Sequence, residues 1–272
     1  FSLGVTNQHR KQYTRQFFNL GVAYSWSSMR GRLQHTLDLM DANYIRMPWV
    51  SEEFDNEYLQ NPSNTLLRES YRDQLITRTA YSFTLVNGRR PNPLYPSYAL
   101  RGSIEISGPL PRLITTISGA KKDELGQKKI LGVAFAEYVK GSIEYSRTFH
   151  FSNRHSLAYR AGLGLAHPFG NSQVLPFERR FFSGGANSVR GWSTRSLGPG
   201  SYRRPDGATS DFVNQTGDMK LDLNIENRLK LTSMFEFAQF IDAGNIWTLK
   251  NYDTQPDGQF KFKNFYKIGR AH

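Results

Sequence analysis

The chain has 272 residues, 38% of them hydrophobic, with no cysteine and a formal charge of +12. The lack of cysteine excludes disulfide frameworks, thiolate zinc sites and cysteine nucleophiles, and no stretch approaches the ~18 apolar residues of a membrane helix. Lys and Arg are scattered along the chain, so the charge fits a basic surface facing anionic lipid headgroups, nucleic acid, or a solvated basic surface.

The organising signal is period two, because successive strand side chains point to opposite faces. Strands are expected at Ser2–Gln8, then at Phe18–Trp26, where Phe18, Leu20, Val22, Tyr24 and Trp26 alternate with small or polar residues, and at Leu33–Leu39. Tyr81, Phe83 and Leu85 alternate with Ser82 and Thr84, and Leu100, Ile104 and Ile106 with Arg101, Ser103 and Glu105. Phe135 to Phe149 and Leu157 to Leu165 continue the pattern. From Lys220 to Leu231 one face carries Leu221, Leu223, Ile225, Leu229 and Leu231. The other carries Lys220, Asp222, Asn224, Glu226, Arg228 and Lys230. Phe235, Phe237 and Ile241 alternate with Glu236 and Asp242. Most of these segments are longer than the ~5–6 residues usual in soluble sheets and match a tilted strand crossing a bilayer.

Short connections are expected at Ser27–Gly31, Asn87–Pro96, His150–His155 and Thr232–Ser233. Long ones are expected at Met40–Asp73, Ser107–Lys129 and Pro168–Gly217. Antiparallel strands put successive turns on opposite rims, and outer-membrane barrels have short periplasmic turns and long outer loops. A soluble sandwich or lipocalin-like barrel would show the same alternation with the apolar face inward. Strand length and loop parity favour the membrane form: an all-β, transmembrane antiparallel β-barrel.

Phe177 to Tyr202 reads FERRFFSGGANSVRGWSTRSLGPGSY. With Gly184-Gly185, Val189-Arg190-Gly191-Trp192 and Leu197-Gly198-Pro199, this stretch resembles the long sixth extracellular loop of the BamA/TamA superfamily. Gly217 to Leu231 and Phe240 to Trp247 resemble the two strands that follow that loop. Tyr13-Thr14-Arg15 and Gln74 to Thr77 resemble the Tam-like branch. The resemblance implies an incomplete barrel, about nine strands of a family barrel of about sixteen, spanning 1–267 with the motif loop at 168–217. The first and last strands, which form the family's seam, lie outside it. Nothing near the start has the order of a signal peptide, so the chain is expected to be a fragment, or a mature segment with its ends removed. Ile268 to His272 is expected to be a non-native tail, since ATCGGAAGAGCACAC, the core of a common sequencing adapter, encodes it.

Gly184 and Gly185 allow positive φ and close backbone approach. Arg190 offers a planar fork of donors suited to a confined carboxylate. The resemblance implies that this arginine docks onto inward acidic residues of the strand at 236–242. Asp242 is the expected partner, with Glu236 on the same face; without the resemblance Arg190 reads as a solvated loop arginine. Trp192 is expected beside the pinned arginine, or as an interfacial aromatic. Phe181 and Phe182 fit loop core or rim. Glu105, Glu144, Arg160, Asp222, Glu226 and Arg228 read as a hydrated inner wall.

The resemblance implies assembly and insertion of proteins into the bacterial outer membrane. The partners would be unfolded outer-membrane clients, outer-membrane lipid and lipopolysaccharide, and periplasmic or inner-membrane assembly factors; nucleic acid would not be one. Alternatives are a two-partner-type polypeptide secretion pore, the barrel anchor of a patatin-like phospholipase, and a plain porin. Within the chain no catalytic constellation, cofactor motif or metal-ligand spacing is present: the Gly-x-Ser-x-Gly elbow is absent and the six His are dispersed.

Overall fold

The computed structural model describes residues 1–60, 65–87, 97–123, 126–203, 213–264 and 269–271. In chain order it contains β1 (Ser2–His9), β2 (Tyr13–Ser28), β3 (Leu33–Val50), α1 (Glu52–Phe54), α2 (Thr65–Ser70), β4 (Gln74–Val86), β5 (Ser97–Ser107) and α3 (Pro109–Ile117). There follow β6 (Lys129–Ile130), β7 (Val133–Ala134), β8 (Tyr138–His150), β9 (His155–Pro168), β10 (Met219–Lys230), β11 (Glu236–Trp247) and β12 (Gly269–Ala271). Most of the expected connection at 87–96, and Ile268 and His272 of the expected tail, lie outside the described residues; Gly269–Ala271 pairs with β11.

One ten-stranded sheet runs in the order β1-β2-β3-β4-β5-β8-β9-β10-β11-β12, and β6 and β7 form a separate two-stranded ribbon. Every pairing between neighbours in the large sheet is antiparallel. β1 and β12 are its edges, and among the described residues nothing joins them. No described helix is long and apolar enough to cross a membrane, which says nothing of a barrel.

The two faces differ as the alternation requires. On one face Ile104, Ile225 and Ile241 are 57%, 51% and 63% exposed, and Phe18, Leu20, Ile143, Leu163, Leu223 and Phe237 are exposed with them. The opposite face carries Asp41, Arg78, Glu105, Glu144, Asp222 and Asp242, joined by ion pairs and covered by the segment between β9 and β10. A soluble sandwich would reverse this: large apolar side chains would be enclosed and the charges would meet water. The inner face is braced by charge. Arg78 reaches Asp41 at 2.6 Å, Glu105 at 3.0 Å and Asp38 at 3.2 Å, tying β3, β4 and β5 together. Glu144 on β8 sits between Arg101 on β5 at 2.8 Å and Arg160 on β9 at 3.5 Å.

Connections at 29–32, 151–154 and 231–235 meet one rim. Those at 51–73, 108–137, 169–218 and 248–268 meet the other, where the tight hairpin at 10–12 is the exception to the length sorting. Two expectations are corrected. Met40 to Val50 is strand, not loop: a bulge between Asp38 and Asp41 shifts the register of β3, so the period-two pattern breaks at Leu39 and Met40 while the pairing continues. Phe135 precedes β8, is buried, and bridges Leu75 in parallel.

The enclosed apolar cores lie on the inner side and at the long-loop rim. Ile45, Ile76, Ala136, Tyr138, Ala166 and Leu175 form one, with Phe17 and Phe181 packed against it. Leu66, Leu67, Val174 and Val213 form another and bind the rim segments to one another.

Candidate functional site

The described residues of the segment from 169 to 218 turn back against the inner face, and their sequence explains the path. Gly184 and Gly185 both have φ of +94°. A side chain at Gly184 would run into the Ser193 carbonyl, so only glycine permits the doubled-back strand pair at this point. The turn closes through Gly185 N–H donating to the Trp192 carbonyl at 2.7 Å and Ser188 N–H to the Gly185 carbonyl at 3.0 Å. Val189 is fully buried against Leu197, with Phe240 packed alongside. Gly244 on β11 leaves the room: a Cβ there would lie 3.0 Å from Val189 Cγ2.

At the tip of this turn Arg190 meets Asp242. Nε donates to Oδ2 at 2.7 Å and Nη2 to Oδ1 at 2.8 Å, and the Arg190 backbone N–H adds a third bond to Oδ2 at 3.0 Å. Asp242 is 0% exposed and the arginine side chain 26%. The bidentate fork satisfies a carboxylate that has no access to water. Nη1 pairs with Glu226, and the guanidinium lies 3.9 Å from the Phe240 ring centroid. The hydrogen bonds to Asp242 raise the Arg190 pKa further above its ordinary value, against the opposing effect of burial.

Around this pair the strands supply further polar contacts. Asn224 Nδ2 donates to Asp242 Oδ1 at 2.7 Å and to the Ser188 carbonyl at 2.7 Å. The Ser188 hydroxyl donates to Asp222 at 2.8 Å. Arg160 Nε donates to Asn224 Oδ1 at 3.0 Å and Nη2 reaches the Asn187 carbonyl. Asn224 and Asp242 are direct cross-strand partners between β10 and β11, so the register itself assembles the site.

The same segment has a second anchorage one turn earlier in the loop. Glu178 pairs with Arg15 of β2. Arg179 lies 3.7 Å from Asp41 of β3, and its carbonyl accepts from Lys140 of β8 at 3.0 Å. Arg180 and Asp218, both almost fully enclosed, pair at 3.4 Å across the two ends of the loop. Phe181 fills the space above Gly164, and its backbone exchanges hydrogen bonds with Gly217 at 2.8 and 2.9 Å.

The structure brings Gly184, Gly185, Val189, Arg190 and Asp242 together, while Gly191 is exposed beside them. Two placements differ from the sequence expectation. Glu236 stands on the same face as Asp242 but opposite Lys230 at the short-turn rim. Six residues separate it from Asp242, roughly 20 Å along a strand; Glu226 is the second carboxylate instead. Trp192 is 40% exposed, and Phe240 provides the ring against the guanidinium. Phe181 is packed in the core and Phe182 is exposed at the surface of the loop. Asn224, Ser188 and the Glu178–Arg180 run carried no sequence signal beyond strand parity and proximity to the motif.

Residues 125–267 match the model of the Omp85 superfamily domain. The chain is 24% identical over 143 residues to the outer membrane protein assembly factor BamA of Neisseria meningitidis serogroup B, covering 50% of this chain and 17% of that protein. In fold it is similar to the crystal structure of BamA from Haemophilus ducreyi lacking POTRA domains 1–3, with a TM-score of 0.57 and 18% identity over 87% of this chain and 43% of that one. The antiparallel sheet is therefore part of an outer-membrane β-barrel, and the chain spans less than half the length of either relative. The match covers more than half the chain, including the whole motif loop and the two strands that receive it: this chain belongs to the Omp85 superfamily.

Proposed function

We propose that this chain is wall and bracing loop of a factor that assembles and inserts proteins into the bacterial outer membrane. The observation that carries the reading is the 24% identity over 143 residues with a protein named an outer membrane protein assembly factor, beside a superfamily match that spans the loop and its receiving strands. The geometry supports it physically. The described part of the loop lies on the inner face and is held there by ion pairs, as a bracing element requires. The clients would be unfolded outer-membrane proteins, and the surroundings outer-membrane lipid and lipopolysaccharide. The motif residues Gly184, Gly185, Val189, Arg190, Gly191 and Trp192 would act by holding the loop, with Asp242 and Glu226 as its receivers. We assign no catalytic role to the chain.

The test uses the full-length protein in proteoliposomes and follows folding of a urea-unfolded barrel client. Acceleration over empty liposomes, reduced in the Arg190→Ala variant, is the expected result. No acceleration, together with export of a soluble polypeptide through the lumen, would support the secretion pore instead.

A further inference from the structure

α3 follows β5 after a single residue, Gly108, at the long-loop rim, and its packing is opposite to that of a soluble amphipathic helix. Pro111 and Thr115 are buried. Arg112 reaches inward to the enclosed Glu137 at 3.1 Å. A side chain at Gly108 would collide with Glu137 and the Ala136 carbonyl, so the helix start is seated tightly on the rim. The apolar residues Leu110, Leu113, Ile114 and Ile117, spaced as one helical stripe, are turned away from the protein and are 47%, 56%, 47% and 78% exposed.

The stripe does not stand alone. Ile104 and Ile106 on the strand leading into it are exposed on the outer face, and Ile106 pairs with the exposed Val139 of β8. The apolar outer band thus continues past the strand end onto the helix. Lys121 and Lys122, exposed just beyond the helix, add positive charge beside it in the chain. The β6–β7 ribbon in the same connection presents Leu131 at 99% exposure from its tip.

We propose that α3 is an interfacial helix lying in the outer leaflet, with Leu110, Leu113, Ile114 and Ile117 among the acyl chains and Lys121 and Lys122 among anionic headgroup phosphates. A short helix with one apolar stripe and neighbouring lysines is the composition that binds in the headgroup–acyl boundary. Continuity with the outer band selects lipid over a protein partner as the cover. The proposal rests on the reading of the outer face as lipid-facing.

This chain has no cysteine, so in the full-length protein, made cysteine-free elsewhere, Ile117→Cys and Ile225→Cys each give one labelling site for an environment-sensitive fluorophore. In reconstituted bilayers the label at position 117 is expected to emit blue-shifted, to lose emission to a lipid-attached spin quencher, and to resist aqueous iodide. Position 225, at mid-strand on the outer face, is expected to be quenched by lipid as well. Lipid quenching at 225 with iodide quenching at 117 overturns the interfacial helix and leaves the barrel reading intact. Protection of 117 from both quenchers overturns it in favour of a protein cover. Absence of lipid quenching at 225 overturns the lipid-facing reading and this proposal with it. Raising the share of anionic lipid is expected to strengthen quenching at 117, and Lys121→Glu with Lys122→Glu to abolish that increase; no increase overturns the role given to the lysines.

Discussion

Arg190 and Asp242 share three hydrogen bonds, two from the guanidinium and one from the backbone N–H, so the carboxylate holds both the side chain and the chain direction of the loop tip. A side-chain contact alone would let the loop pivot about the arginine. The backbone bond, with Val189 packed against Leu197 on the enclosed side, fixes the tip in orientation as well as position.

Arg190→Ala removes the guanidinium and leaves Asp242 enclosed without a counter-charge. Breaking a buried pair in this way costs several kcal/mol; with the arginine partly exposed, about 3 kcal/mol is expected. The sheet has its own ladder of bonds and ion pairs, so the loss is expected as loop release. Limited proteolysis of the 169–218 segment should quicken strongly while the heat-modifiable mobility of the barrel is retained. Arg190→Lys keeps the charge but not the fork and is expected to fall between the two.

Reversing both charges, Arg190→Asp with Asp242→Arg, is expected to restore only part of the protection lost in either single variant. The guanidinium placed at position 242 cannot accept the backbone N–H of residue 190 or the Asn224 amide, both of which donate to the carboxylate. A double-mutant cycle on protease protection reads this directly; zero coupling would show that the two side chains do not pair.

Glu226→Gln and Glu236→Gln separate the two acidic residues near the loop's receiving strands. Glu226 pairs with both Arg190 and Arg228, and its loss is expected to cost about 1–2 kcal/mol of loop protection. Glu236 is exposed at the opposite rim, and its loss is expected to fall within about 0.5 kcal/mol of zero. Equal effects would contradict the register between β10 and β11.

The second anchorage predicts a graded response. Arg179 is 3.7 Å from Asp41, which keeps Arg78 as a closer partner, so Arg179→Ala is expected to cost about 1 kcal/mol or less. Arg78→Ala strands Asp38, Asp41 and Glu105 together on the inner face and is expected to destabilise the wall by more than about 3 kcal/mol. Urea titration of barrel mobility compares the two.

Strand positions, the apolar and charged faces and the loop motif were legible because each depends on local spacing. What the spacing could not supply was register. A two-residue turn at Thr232–Ser233 would have set Asp242 opposite Leu223, on the wrong face. The actual turn at 231–235 sets it opposite Asn224, and a one-residue slip exchanges the faces. Glu236 looked equivalent to Asp242 because even spacing puts both on one face; the pairing of Asp242 with Asn224 and of Glu236 with Lys230 separates them along the strand and leaves Glu226 as the second carboxylate on Arg190. The bulge at Asp38–Asp41 hid half of β3 for the same reason: two acidic residues three apart share the inner face, which a strict alternation forbids. Arg78 was invisible as a hub because its three partners come from two other strands.

An oxidative cross-link tests the pinned loop most directly. The Ser188 hydroxyl lies 2.8 Å from the Asp222 carboxylate, so Ser188→Cys with Asp222→Cys, in the full-length protein made cysteine-free elsewhere, puts two thiols on side chains that face each other. A protease site inserted at the exposed Ser201 lies between them. After oxidation and cleavage, the two fragments are expected to stay joined in denaturing gels and to separate on reduction. Separation without reduction, in protein whose barrel is folded, would show that the loop does not rest on β10 and would contradict the site.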